Sequence, residues 1–187
     1  MLLSAESIRK QCSSVVPLID PFVEGRVEGV ISYGLTHAGY DLRLAGEALM
    51  FKPSYGLIVD PKRFADEEYR RKMFDTVEAS DGKIVVPPHS YCLVRSVERF
   101  QLPLDLKGRC VGKSTYARCG IIVNCTPLEP GWGGYLTIEL ANTNPCPVAL
   151  YVSEGIAQVE FEQLDHIGEG YGSKKYQHQG PTPEPPR

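Results

Sequence analysis

No run of apolar residues in this 187-residue chain approaches the roughly 18 that a membrane-spanning helix requires. Nor is there an excess of positive charge: the formal net charge is -3, so no broad basic field draws in a nucleic-acid backbone. A small anion held by a few local cations remains compatible with that balance. The opening Met1 to Lys10 carries Glu6 and lacks the basic start and apolar run of a secretory signal, which predicts a cytoplasmic protein. Six cysteines are present without a Cys-x-x-Cys pair, and most sit inside apolar runs, where they read as reduced, buried thiols.

Several catalytic signatures are missing as well. Water activation by a bound zinc of the base-deaminating type needs His-x-Glu and Pro-Cys-x-x-Cys segments, and neither exists. His37, His89, His166 and His178 have no cysteine pair to complete a tetrahedral site. Gly112-Lys113-Ser114 imitates the end of a phosphate-binding loop, but Lys107 stands where that loop requires its first glycine. There is no Gly-x-Ser-x-Gly elbow and no internal repeat.

What is present is a strand-rich pattern. Short β-branched or aromatic runs bounded by Gly, Pro and Asp predict strands at Lys83 to Val86, Ser90 to Val97, Gly120 to Cys125, Tyr135 to Ala141, Ala149 to Val152 and Ile156 to Phe161. With little helix between them, they point to one mainly β domain, a barrel or sandwich rather than alternating parallel units. Ser4 is placed to cap a short helix through about Cys12. Acids first and bases last between Ala65 and Phe74 suit a second short helix or a charged loop. The proline-rich stretch from Pro181 to Arg187 reads as an extended or disordered tail.

The segment from Gly112 to Asn124 (GKSTYARCGIIVN), followed by Thr126-Pro127-Leu128-Glu129-Pro130-Gly131-Trp132, resembles bacterial dCTP deaminases. The likeness continues in order through Leu136 to Asn142 (LTIELAN) and Glu154 to Gln158 (EGIAQ). Ala38 to Arg43 (AGYDLR) is similar to the first motif of the wider dCTP deaminase/dUTPase superfamily, and Leu3 to Arg9 (LSAESIR) to the deaminases' first helix. Tyr171 and the run Lys175 to Gly180 (KYQHQG) look like their C-terminal lid. The resemblance implies a distorted β-barrel of the dUTPase-like β-clip type with a few short helices. It also implies a homotrimer with active sites shared between neighbours, a single domain over 1-180 with a lid from about residue 165, and plausible feedback by dTTP.

It further implies roles for individual residues. Glu139 matches the catalytic glutamate, a general base that takes a proton from water attacking C4 of the cytosine of dCTP and returns it to the leaving amine. On a strand Glu139 shares its face with Thr137 and Ala141, the face expected to border the site. Ser114 and Arg118 match the serine and arginine beside the base, one turn apart on a short helical turn. Lys113, Thr115, Gln158, Tyr171, Lys175 and Gln179 fall at positions assigned to substrate or its lid, with Gly168, Gly170 and Gly172 as a hinge. Magnesium would ride on the triphosphate rather than in a protein cage. Thr126, Glu129 and Trp132 would lie near base and sugar, with a core role equally open to Trp132.

Two alternatives stay open. Thr36-His37-Ala38-Gly39-Tyr40-Asp41 is closer to dUTPases, and Glu129 occupies the neighbourhood of their aspartate, so a dUTPase or a bifunctional enzyme making dUMP is the first. A nucleotide-binding trimer without catalysis is the second. Cytosine and a modified cytosine are not separated by the sequence, and His37 and Pro127 are the positions where that difference would show.

Overall fold

The computed structural model describes residues 1–25, 28–52, 58–171 and 178–185. In chain order these form α1 (Ala5–Cys12), β1 (Ile19–Asp20), β2 (Gly34–Leu35), β3 (Tyr40–Phe51), a 3-10 turn (Pro61–Arg63), α2 (Glu67–Met73), β4 (Phe74–Glu78), β5 (Lys83–Val86), β6 (Tyr91–Gln101) and β7 (Leu106–Gly112). They continue with α3 (Ser114–Ala117), β8 (Ile121–Asn124), β9 (Gly133–Asn142), β10 (Val148–Tyr151), β11 (Gly155–Gln163) and β12 (His178–Gln179).

Ten strands make one curled sheet whose backbone path is β12-β9-β6-β3-β11-β7, while β5 and β10 form a separate pair. The curl comes from β3. Its first residues pair with β11, its last with β4, and its register against β6 slips between Leu44 and Ala48. A second slip, between Arg95 and Arg99 of β6, bends the β6-β9 pair, as irregular pairing does by adding twist. On the far edge β8 pairs with β9, and the stretch after it returns to β7 through reciprocal backbone bonds between Gly108 and Leu128 of 2.8 and 2.9 Å. The result is a nearly closed, mainly β barrel with few helices, as the sequence predicts.

Inward-facing Tyr40, Leu42, Leu44, Val94, Phe100, Ile138, Leu140, Val159 and Phe161 are fully buried and fill it. Each such side chain contributes roughly 1.5–3 kcal/mol by leaving water. Every predicted strand is found, with ends shifted by a few residues, and Ser4 caps α1 by accepting the Ser7 amide hydrogen. β3 and β7 were not anticipated as strands. Both carry glycine and charge (Gly46, Arg43; Gly108, Lys107), which obscure the alternation that betrays the others.

The charged stretch before Phe74 becomes α2, capped by Asp66, whose Oδ1 accepts from the amides of Glu68 and Tyr69. Its buried face builds a second apolar cluster of Phe64, Tyr69, Met73, Phe74 and Leu93, against which Phe51 and Tyr91 stack at 4.8 Å between ring centroids. The Tyr69 hydroxyl ties the preceding loop down by donating to the Ile58 carbonyl at 3.0 Å. No helix among the described residues is long and apolar enough to cross a membrane.

Candidate active site

Glu139 projects from β9 into a cavity of about 620 Å³. Thr137 lines it from the same face of the strand, as alternation predicts, whereas Ala141 does not reach it. A second wall comes from the segment after β8, with Thr126, Pro127, Leu128 and Glu129, and the buried Trp132 closes one end. Pro61, Phe64 and Phe74 form an apolar third wall together with Leu93. That wall descends from the stretch with least resemblance to any motif, and only the packing of α2 onto β6 reveals it.

The carboxylate of Glu139 is largely removed from water, and its Oε2 is buried with no hydrogen-bond partner among the described residues. Burial pushes its pKa up to about 7, against hydrogen bonds from its own backbone and from the Cys125 thiol that favour the charged form. Cys125 also reaches the Thr137 carbonyl at 3.7 Å. Nothing in the sequence separates Cys125 from the other cysteines, so this contact was not legible there. Glu129, on the facing wall, is paired at 3.6 Å with Lys107, a half-exposed contact worth little by itself.

The C-terminal segment covers the cavity from the same chain. Tyr171 lines it and anchors the approach through its amide hydrogen bond to the Pro130 carbonyl at 2.7 Å. β12 then runs parallel to β9, and the Gln179 side-chain carbonyl accepts from the Thr137 amide at 2.9 Å. The tail does not leave the surface there. Pro183 is buried, Glu184 faces the cavity, and the Glu184 amide donates to the Thr137 hydroxyl at 3.2 Å. Proline favours an extended chain without internal hydrogen bonds, and such a chain is free to bond a neighbour instead. Lys175 and Gly172, assigned to the lid by resemblance, lie outside the described residues.

Close docking of β12 depends on Gly134, at φ 146°, where an added Cβ would stand 2.5 Å from the Gln179 nitrogen. Gly134→Ala is therefore expected to dislodge β12 and make the chain beyond Tyr171 at least about ten times more sensitive to limited proteolysis. The barrel, which does not depend on this contact, should keep its circular dichroism spectrum.

Other expected site residues are not brought to this cavity within the chain. Ser114 and Thr115 on α3, and Arg118 just after it, are exposed, and none of them lines the cavity. Their one-turn spacing is real: the Arg118 amide donates to the Ser114 carbonyl at 3.1 Å. Lys113 and Gln158 meet elsewhere, both on Asp41, which Lys113 ion-pairs and to which Gln158 donates at 2.9 Å. The sequence pointed to Asp41 only as part of a motif, without this role. Pro127 lines the Glu139 cavity, but His37 lies beside Arg9 and Glu24 at a separate depression, so it is no candidate for contact with a base bound by this chain's Glu139.

Residues 2–164 match the family model described as dCTP deaminase-like. The chain belongs to the dCTP deaminase-like family. Among its relatives, a dCTP deaminase of Acidobacterium capsulatum is 51% identical over 164 residues, spanning 87% of this chain and 86% of that one. A dCTP deaminase of Herpetosiphon aurantiacus is 42% identical over 184 residues, covering 97% and 96%. The crystal structure of the 2'-deoxycytidine 5'-triphosphate deaminase of Agrobacterium tumefaciens shares the fold with a TM-score of 0.64 at 18% identity, over 87% of this chain and 47% of that one. The family match ends just before the segment that covers the cavity, so the residues from 165 onward are the part of this dCTP deaminase-like protein to which it does not extend.

Proposed function

We propose that this protein hydrolyses dCTP to dUTP and ammonia, with Glu139 as the general base. The observation that carries the reading is a carboxylate largely withdrawn from water, with one oxygen unpartnered among the described residues and a pKa of about 7, facing a nucleoside-sized cavity. A base must be basic enough to take a proton from water and acidic enough to give it to the leaving amine, and a pKa near the operating pH serves both. Water held between Glu139 and C4 of the ring adds its oxygen to that carbon as Glu139 takes a proton from it, and Glu139 then gives that proton to the amine, whose bond to C4 breaks to release ammonia.

Ser114 and Arg118 would complete the site from a neighbouring subunit, which accounts for their exposure in the single chain. A hydroxyl and a fixed planar cation there orient water and stabilise the charge that develops on the ring. Lys113, held by Asp41, and Thr115 would face the triphosphate from the same neighbour, in a homotrimer with shared sites. Gln158, Tyr171, Gln179 and Lys175 would hold substrate or close over it. Among the described residues no group of three or more His, Cys, Asp and Glu is placed to hold a metal. Magnesium would be carried by the triphosphate oxygens, where it would neutralise phosphate charge.

Purified protein incubated with magnesium and dCTP is expected to yield dUTP and ammonia in equal amounts, resolved by chromatography. Because the base acts ionised, kcat/KM should rise with pH and level off above about 7, following Glu139. Intact dCTP with cleavage of dUTP would sink the proposal in favour of a dUTPase. Glu129 stands in the same cavity as Glu139 and favours one further outcome, a bifunctional enzyme. Its mark would be dUMP and pyrophosphate in place of dUTP.

A further inference from the structure

Behind Glu139 the barrel brings two thiols together. β7 runs antiparallel to the stretch from Val123 to Leu128, anchored at one end by the Gly108–Leu128 bonds of 2.8 and 2.9 Å. At the other end, Gly112 lies beside Val123, where a Cβ on the glycine would make ordinary van der Waals contact with Val123 Cγ2 at 3.5 Å. Cys110 lies between those anchors on one strand and Cys125 between them on the other. The Gly108–Leu128 register sets Cys110 opposite Thr126 and Cys125 opposite Val111, one residue from direct alignment, and the Gly112–Val123 contact is offset in the direction that brings Cys110 and Cys125 together. Residues that face each other on antiparallel strands stand about 4.5–5.5 Å apart at Cα, within the roughly 4.4–6.8 Å that a disulfide spans. Cys110 and Cys125 both line a second cavity of about 590 Å³, and their thiols are close enough that Cys110 raises the pKa of Cys125. Cys125 therefore links this second cavity to Glu139: its thiol reaches the Thr137 carbonyl at 3.7 Å and interacts with Glu139 on one side and with Cys110 on the other.

We infer that Cys110 and Cys125 are an oxidation site of this protein, and that closing them into a disulfide removes the thiol that positions Glu139. The co-reactant is a peroxide. Cys110, as thiolate, attacks one oxygen of hydrogen peroxide, giving Cys110 sulfenic acid and water after protonation. Cys125 then attacks the Cys110 sulfur, its proton passing to Glu139, and the hydroxide that leaves is protonated to a second water. Two thiols and one peroxide become one disulfide and two waters. The neighbouring Cys110 thiol, and after it burial, hold the Cys125 proton tightly, so Cys110 is the thiol that reacts first. Oxidised, Cys125 has no hydrogen to offer Glu139.

The consequence for turnover rests on the proposed deaminase activity, but the disulfide itself does not. In the test, Cys119 and Cys146, the two exposed cysteines, are replaced by serine to prevent cross-linking between molecules. This protein and a version that also carries Cys110→Ser are exposed to hydrogen peroxide, alkylated and digested with trypsin, which frees the peptide Cys110–Lys113. Turnover of dCTP is followed before oxidation, after it, and after dithiothreitol. We expect a Cys110–Cys125 cross-link lacking two hydrogens, a fall in kcat of about ten-fold or more, and recovery on reduction. The Cys110→Ser version should start at the same turnover, form no cross-link and resist. If that version is poorly folded, Cys110→Ala serves in its place.

Absence of the cross-link at peroxide doses that oxidise Cys119 of the unsubstituted protein would overturn the inference. So would a complete cross-link that leaves turnover within two-fold. Should the untreated protein not turn over dCTP, it is the deaminase reading that falls, and the peptide map still decides whether the site exists.

Discussion

Glu139→Gln should lower dCTP turnover by about 10²- to 10⁴-fold, the range that a positioned general acid–base group supplies. Glutamine keeps the shape and fills the same space against Cys125 and Thr137, so substrate binding should change far less than kcat. The same substitution has a second signature that does not depend on catalysis. Because burial raises the Glu139 pKa from 4.5 to about 7, the folded protein holds that proton more tightly than the unfolded chain does. Its contribution to stability is fully present below about pH 4.5 and is lost as pH rises through about 7. Glu139→Gln should therefore match the wild type at pH 4 and exceed it at pH 8 by on the order of 2–3 kcal/mol. Urea unfolding at the two pH values, at one protein concentration, measures this. An unchanged kcat would remove Glu139 from the reaction. Equal stability of the two proteins at pH 8 would instead show that its carboxylate is not destabilised by burial.

Arg43→Met should cost about 3–5 kcal/mol at neutral pH, the penalty for leaving a buried charge without its partner. Glu98 sits in the slipped segment of β6 and is wholly buried, while Arg43 on β3 donates to it twice, from Nε at 2.7 Å and from its own amide at 2.9 Å. The Arg43 guanidinium also lies over the Tyr33 ring at 5.2 Å. Burial raises the Glu98 pKa even with Arg43 beside it, and removing the arginine raises it further. A carboxyl with a raised pKa loses its stability contribution as pH rises, so the damage from Arg43→Met should be smaller at pH 5 than at pH 8. Thermal and urea unfolding across that range test the point, and a loss under about 1 kcal/mol would mean that Glu98 is neutral in the native protein. The pair joins the two strands whose slipped register bends the barrel, so the variant should also lose cooperativity of unfolding before it loses secondary structure.

How much of this was legible in the sequence differs from element to element. The strands around Glu139 were readable because β-branched and apolar residues alternate there with polar ones, and that alternation puts Thr137 and Glu139 on one face. β3 was hidden. None of its residues is exposed, since one half pairs with β11 and the other with β4, so no clear alternation survives in the letters. The apolar wall from Phe64 and Phe74 was equally hidden, because charges on α2 mask a buried face that only contact with Leu93 explains.

The sequence by itself determined a mainly β chain with a capped first helix and, through its ordered motifs, membership of the dCTP deaminase-like family. Local propensity and side-chain chemistry suffice for that, because strand period, capping and motif spacing are properties of neighbours along the chain. Only the tertiary structure decided which of the named residues meet. Glu139, Glu129, Trp132, Tyr171 and Gln179 share one cavity; Lys113 and Gln158 share Asp41; Ser114 and Arg118 stand apart, facing outward. It also decided the setting of Glu139, since the burial that moves its pKa and the Cys125 thiol beside it come from residues outside β9. Desolvation depends on everything packed around a group, and no local stretch of sequence contains that information.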